Sequence, residues 1–541
     1  MKSNIKAIIN TKFFLVFLFL VLSILSVYPA FAGHFFKLTM DGKIHLVRFE
    51  PIAESFRHME LPPMVNFLGF GNIGEVFTST YPWISELIFI IPLAIFKNPI
   101  SAMKIGFTLL NFLTMLNAYL LAKKLTRKPV IQLIGIFIYQ FNSYHMIVLF
   151  ARNAIGEGMA YAFLPLILLG WIEIFEHNTR IGVVIFSFGL GMVINSHIIT
   201  AFYACFFIVI GFIFNLLCRK IDKRIIKGLT YSVFLTLTVS IFTIGNLLTI
   251  LLNNKIATPN KGFATVQFAN VINDSLNNYI TDQPGDWNIG LISLFLLIFL
   301  FIKSICTRRK ESWKICIDIA MVIFVFTLSW VSAIDNHLGK TIFGNIQFGS
   351  RLLSFVMVFL DAAIILYLNT YSEKYNFNNI ALIICAGTFC LSILGVRTFH
   401  YIKKDDPIRY YLTQNNYNDT INKPNYGWGD YVLVNSKNKP LLNLNNHKLK
   451  DISKVTYNRI EYSFYSKGKE RYKIPLLFYK GINYTINNLK LKKERGIVTV
   501  ITKKGNNSLT ISSRPSTANY LLFTISIIAI LVLSLIIAMV M

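Results

Sequence analysis

Long apolar runs separated by short basic stretches fill most of the first 400 residues. Each run of about 20 residues is long enough to cross a bilayer as a helix. The runs are Phe13 to Ala32, Ala102 to Ala122, Val130 to Phe150, Gly158 to Phe175, Leu229 to Leu252, Ile289 to Ile305, Ile315 to Ala333, Ser350 to Thr370, Asn379 to Val396 and Tyr520 to Met541. Ile181 to Leu217 reads as a tight hairpin of two more, with its tip near Asn195 and His197, so the pattern predicts twelve spans. Trp83 to Phe96 is apolar too, but at about 14 residues it suits a helix lying on the membrane surface or re-entering it. That leaves Gly33 to Ser101 as one long loop.

After Val396 the period changes. Tyr431-Val432-Leu433-Val434, Ile460-Glu461-Tyr462-Ser463-Phe464 and Val498-Thr499-Val500-Ile501 are short runs that alternate or are β-branched, separated by Asn, Lys and Gly. They predict a small β-sandwich, with Lys503-Lys504-Gly505-Asn506-Asn507 as a hairpin turn. The expected fold class is an α-helical polytopic membrane protein with a β-rich domain before its last helix. The divisions are 1–397 for the transmembrane domain with its first loop at 33–101, 398–519 for the β-rich domain, and 520–541 for the final helix.

Composition sharpens this picture. The 541 residues are 54% hydrophobic and 15% charged with mean hydropathy +0.54, so lipid is the main solvent of the chain. The formal charge of +27 is met by short cytoplasmic loops facing anionic headgroups, and no nucleic acid is needed to explain it. Basic loops at Lys123 to Lys128, Cys218 to Arg224 and Arg308 to Lys310 are expected inside. Loop 33–101, the stretch Asn253 to Asn288 and the β-rich domain then lie outside, on a multi-pass protein of the cell membrane. All six cysteines fall in or beside apolar runs, leaving the external domain without a disulfide, and no Cys/His spacing suggests a metal site. Lys2, Lys6 and Lys12 before Phe13 to Val27, then Ala30-Phe31-Ala32-Gly33, have the form of a signal peptide. A run of this length also serves as an uncleaved first helix.

With this topology the ionisable residues gather on the outer side. Asp41, His45 and Arg48 fall at i, i+4 and i+7, one stripe of a helix beside the membrane, either a solvated face or a base with a cation beside it. Arg152 and Glu157 flank the fourth span, Asn195 and His197 the hairpin tip, and Gln347 and Arg351 the entry to the tenth span. Arginine forks beside carboxylates suit a phosphate-bearing lipid headgroup. Asp361, about 15 Å into the tenth span, is expected to face the bundle interior and to have a partner there.

The motifs Asp41-Gly42-Lys43-Ile44-His45-Leu46-Val47-Arg48, Tyr81-Pro82-Trp83, Arg152-Asn153-Ala154-Ile155-Gly156-Glu157, Ser196-His197 and Ile346-Gln347-Phe348-Gly349-Ser350-Arg351 resemble those of the bacterial YfhO-like membrane proteins, of the GT-C class of glycosyltransferases. The resemblance runs over nearly the whole chain. It implies transfer of a sugar from a polyprenyl-phosphate carrier to a cell-envelope acceptor, teichoic acid or a similar glycopolymer, at the non-cytoplasmic face. A separate polyprenyl glycosyltransferase would load the carrier. It also implies Asp41 as the catalytic carboxylate, Glu157 as a second catalytic acid at the cleft, and His197 and Arg351 at the carrier phosphate; from their positions on the same outer side, His45, Arg48, Arg152 and Gln347 are expected to join them as substrate-binding residues. No Asp-x-Asp pair occurs in the first loop, so the divalent metal that some GT-C members use has no evident ligands, and no cofactor is assigned. A flippase for a lipid-linked sugar, or a non-catalytic scaffold, are the competing readings.

Overall fold

The structure is a computed structural model describing residues 12–540 except 97, 177–178, 258–260, 329–336, 403–409, 423–429, 443–451, 488–490 and 495–496. Lys2, Lys6 and the end of the run expected to reach Ala333 lie outside the described residues.

The apolar runs form helices. α1 (Lys12–Val27) continues into a 3-10 turn at Tyr28–Phe31. In the first loop lie α2 (Gly42–Arg57) and α3 (Leu87–Phe96). α4 (Pro99–Leu125) opens on Asn98, whose side chain accepts from the N–H groups of Ile100 and Ser101, with Pro99 in the first turn where no N–H is needed. α5 (Pro129–Gln140) and α6 (Ser143–Ala151) come from one apolar run but meet at 44°. The break is stabilised by Asn142, which caps α6 at the His145 N–H (2.9 Å). α7 (Ile155–Phe175), α8 (Thr179–Ile194), α9 (Ile198–Leu217) and α10 (Lys223–Asn253) follow, then α11 (Leu291–Cys306), α12 (Ser312–Thr327), α13 (Leu353–Tyr371), α14 (Asn378–Tyr401) and α15 (Thr517–Val540).

Among the described residues, eight helices are long and apolar enough to cross a membrane, or nine if the bent pair is one span. α8, α11 and α12 have 16 residues each. At 1.5 Å per residue that is about 24 Å, short of a hydrocarbon core of about 30 Å, so length alone does not reach twelve crossings.

The β-rich region is built from two sheets with a common core. One has the order β5 (Ile452–Thr456), β6 (Arg459–Ser466), β11 (Gly505–Ser513), β8 (Tyr484–Asn487), and the other β7 (Arg471–Leu477), β10 (Ile497–Ile501), β9 (Leu491–Glu494). The expected hairpin at Lys503 to Asn507 is not formed. A turn is present, closed by Asn507 on the Lys503 N–H and carbonyl (2.8 Å each), but β10 and β11 belong to different sheets, so the chain crosses between layers there. Into the core formed by Ile460, Tyr462, Ile474, Leu476, Val500, Leu509 and Ile511 the first loop inserts Val65 and Phe67. Further ties are the pairing of β1 (Phe36–Leu38) with β4 (Tyr410–Leu412), Tyr417 donating to Glu50 (2.5 Å) and Tyr457 donating to Glu60 (2.8 Å). Loop 33–101 is thus packed between the helix bundle and the sandwich.

Asp361 lies in the bundle interior as expected, fully buried on α13. The expected partner is absent: neither carboxylate oxygen has a hydrogen-bond partner among the described residues. The nearby Tyr139 and Tyr161 hydroxyls donate to each other's backbone carbonyls (2.8 and 2.7 Å), which uses both donors.

Candidate functional site

α2 starts where the chain is pinned to the segment after α6. Asp41 stands at the N-terminus of α2 with its carboxylate making no cap bond; its N–H donates to the Arg152 carbonyl (3.1 Å) and its carbonyl accepts from the His45 N–H (3.1 Å). The Thr39 N–H donates to Asn153 Oδ1 (2.8 Å), and the Thr39 hydroxyl donates to the Ala151 carbonyl. A Cβ on residue 42 would lie 2.5 Å from Asn153 Oδ1, so glycine is required for the approach. Asn153 has a left-handed φ of 52°, which Asn tolerates better than most residues. The backbone therefore sets the Asp41 carboxylate beside Arg152, with Oδ2 4.0 Å from Nη2.

The stripe Asp41, His45, Arg48 is formed, and it is not a solvated face: His45 and Arg48 are buried. Arg48 donates to Glu86 and to the Pro82 carbonyl (2.8 Å), and its guanidinium lies over the Tyr81 ring at 4.2 Å. His45 Nδ1 is 2.8 Å from Arg48 and 3.4 Å from Glu86. These contacts occupy the Arg48 fork, so in this geometry it clamps the loop Tyr81 to Glu86 against α2.

A second cluster lies on the other side of Asp41. The α6 helix ends in a π-turn at Ile147–Ala151, a local widening often found at functional sites, and delivers Arg152. Glu157, in the first turn of α7, accepts from Arg152 Nη1 (2.8 Å) on one oxygen, which also lies 3.4 Å from Arg351 Nε as an ion pair without a hydrogen bond, while its other oxygen accepts from the Tyr144 hydroxyl (2.6 Å). Arg152 also stacks over the Trp287 ring at 4.0 Å. Arg351 comes from a 3-10 turn, Gly349–Leu352, that leads into α13. Its Nη1 is 3.4 Å from Gln347 Oε1, and Gln347 has a left-handed φ of 64°, a conformation costing on the order of 1–3 kcal/mol for a non-glycine residue. Gln347 is also held by the parallel pairing of β3 (Gln347–Phe348) with β2 (Phe263–Ala264).

His197 caps α9, accepting from the Thr200 N–H (3.3 Å) with the Thr200 hydroxyl 2.8 Å away. Burial, with Arg351 close by, holds its imidazole well below the usual histidine range, so it is neutral rather than cationic. The Tyr81 ring joins the two clusters, with centroids 5.5 Å from His45 and 6.3 Å from His197.

The structure thus brings together Asp41, His45, Arg48, Arg152, Glu157, His197, Gln347 and Arg351 at one end of the bundle. Asp41 is the open acid among them: its side chain is 36% exposed, against 2% or less for Glu157 and Glu86. Both Glu157 oxygens are engaged, so its geometry is that of an anchor for two guanidiniums. Sequence reasoning missed Glu86, Tyr144 and Trp287. Glu86 did carry a signal, being the one charge within the apolar stretch Trp83 to Phe96. Among the described residues, no group of three or more His, Cys, Asp or Glu side chains is placed to hold a metal ion. No protein-family model matches this chain, and no curated protein matches it.

Proposed function

We propose that the protein is a glycosyltransferase of the GT-C type. It transfers a sugar from a polyprenyl-phosphate donor to a hydroxyl of a cell-envelope glycopolymer at the outer face of a membrane crossed twelve times, α8, α11 and α12 completing the count. The observation that supports this reading best is the pair of guanidiniums, Arg152 and Arg351, meeting on Glu157 beside an accessible Asp41. Asp41 takes the proton of the acceptor hydroxyl. The acceptor oxygen bonds to the anomeric carbon as the bond from that carbon to the phosphate oxygen breaks. Polyprenyl phosphate leaves with the electron pair, and Arg152 and Arg351 balance the growing negative charge on it. A single displacement inverts the anomeric centre. Gln347 fixes Arg351, neutral His197 is available as a hydrogen-bond donor, and His45, Arg48 and Glu86 hold the wall of the cleft.

Asp41→Asn tests the proposal, since it keeps the size of the side chain and removes the base. Purified variant and wild type are compared for transfer from polyprenyl-phosphate sugar to envelope polymer. A loss of about a hundredfold or more with unchanged melting is expected, and full activity in the variant would refute the mechanism.

A further inference from the structure

At the end of the bundle opposite the charged site, α8 and α10 cross closely because residue 228 has no side chain. A Cβ there would sit 2.6 Å from Thr179 Cγ2. The 21 residues of α7, with Glu157 near one end and Phe175 at the other, separate the two regions by about 30 Å. Beside the crossing opens a groove of about 760 Å³. Its mouth carries Arg180, Lys223, Arg224 and Lys227, and its wall continues along α10 through Tyr231, Phe234 and Leu235. Arg224 lies 3.6 Å from Asp222. Among the described residues, Arg180, Lys223 and Lys227 have no carboxylate within ion-pair distance. Glu173 and Glu176, at the end of α7 and just beyond it, are taken by Lys124 at 2.8 and 3.1 Å, and Glu373 by Lys128 at 2.6 Å. The groove therefore presents uncompensated positive charge at its mouth and an apolar surface about 16 Å farther along the helix, from Lys223 to Phe234.

We propose that this groove binds an anionic glycerophospholipid, with its phosphate seated among Arg180, Lys223, Arg224 and Lys227 and one acyl chain lying along Tyr231, Phe234 and Leu235. The charge selects an anion, and the continuous apolar wall selects an anion carrying a hydrocarbon chain. The site shares no residue with the proposed transferase site and does not depend on that reading.

The test uses the full-length protein in detergent, titrated with phosphatidylglycerol or phosphatidylcholine and followed by native mass spectrometry. One tightly retained phosphatidylglycerol is expected, with at least about tenfold preference over phosphatidylcholine. The variant Arg180→Gln/Lys223→Gln/Lys227→Gln should lose that preference. A control that removes the same charge elsewhere, Lys303→Gln/Arg308→Gln/Arg309→Gln, should keep it. Tyr231→Ala/Phe234→Ala keeps every cation and should weaken phosphatidylglycerol retention as well. Equal retention of the two lipids, or equal losses in the two charge variants, would overturn the proposal. So would displacement of the lipid by millimolar inorganic phosphate, which would mark a free-anion site, or stronger retention of undecaprenyl phosphate, which would mark a carrier site. Because the two competition measurements use the wild-type protein, they decide the matter even where a variant misfolds.

Discussion

Replacing Glu157 by Gln separates an anchoring carboxylate from a catalytic one. In the structure one oxygen of Glu157 carries both Arg152 and Arg351, the other takes the Tyr144 hydroxyl, and all three charged side chains are at most 8% exposed. Gln keeps the shape and removes the charge, leaving two buried guanidiniums against a neutral amide whose NH2 cannot accept from either. Removing one partner of a buried ion pair costs about 3–5 kcal/mol, because the remaining charge stays desolvated. In a chain of this size that is a fall in melting temperature of about 3–4 °C. Donor KM should rise, since both arginines lose their alignment. Arg152→Gln alone costs less, because Glu157 keeps Arg351 and Tyr144. The double variant Glu157→Gln/Arg152→Gln should melt above Glu157→Gln, with a coupling of about 0.5–3 kcal/mol, because one orphaned cation has gone. The assay is a melting series on the four proteins in the same detergent, with donor KM and kcat for each. Wild-type melting together with a collapse of kcat in Glu157→Gln would refute the anchor and restore Glu157 as a second acid. Additive losses in the double variant would show that the pair is not coupled.

Arg351→Lys should reduce activity partly and Arg351→Gln severely, mainly through donor KM, because Lys keeps the charge and loses the planar fork. Equal donor dependence in wild type and Arg351→Gln would remove Arg351 from the site. Glu75 is fully buried between the first loop and the sandwich with no hydrogen-bond partner for either oxygen among the described residues, and burial, with Asp430 nearby, raises its carboxyl well above the usual range. The fold favours its protonated form, so its contribution to stability is complete below the unfolded carboxylate value, near 4.3, and is lost as pH rises through the raised folded value. Glu75→Gln, neutral throughout, should therefore melt about 2 °C or more above wild type at pH 9 and show a smaller difference at pH 5. A pH-independent difference would refute this.

What could be read from the sequence was whatever lipid imposes locally. Apolar runs mark helices because a backbone in hydrocarbon must satisfy its own hydrogen bonds, and lone charges at the ends of those runs mark the membrane boundary. Arg152, Glu157 and Arg351 stood out for that reason, Asp41 for its helical stripe with His45 and Arg48 and His197 for its place at a hairpin tip, and the structure does gather them. The 44° break between α5 and α6 did leave a mark in the sequence, the polar residues Gln140, Asn142, Ser143 and His145 inside an otherwise apolar run, but its angle did not. It is that break, with the π-turn after it, that aims Arg152 at Glu157. At Lys503 to Asn507 local turn chemistry was legible and strand pairing was not, since the turn residues are the same whether the chain returns to its own sheet or crosses to the other. The division of labour among the acids was hidden in the same way. Spacing along the chain gives Asp41 and Glu157 equal standing, each near an arginine. Only helix packing brings a second arginine, from more than 190 positions farther on, to Glu157, and leaves Asp41 with a single distant contact and an open face. An acid that is buried and pinned by two guanidiniums and a phenol has no open face to turn to a substrate, whereas one 36% exposed and 4.0 Å from its nearest cation has. Which of the two acids is free to serve as the proposed base is therefore set by what that acid is spared from holding, a property of the assembled bundle.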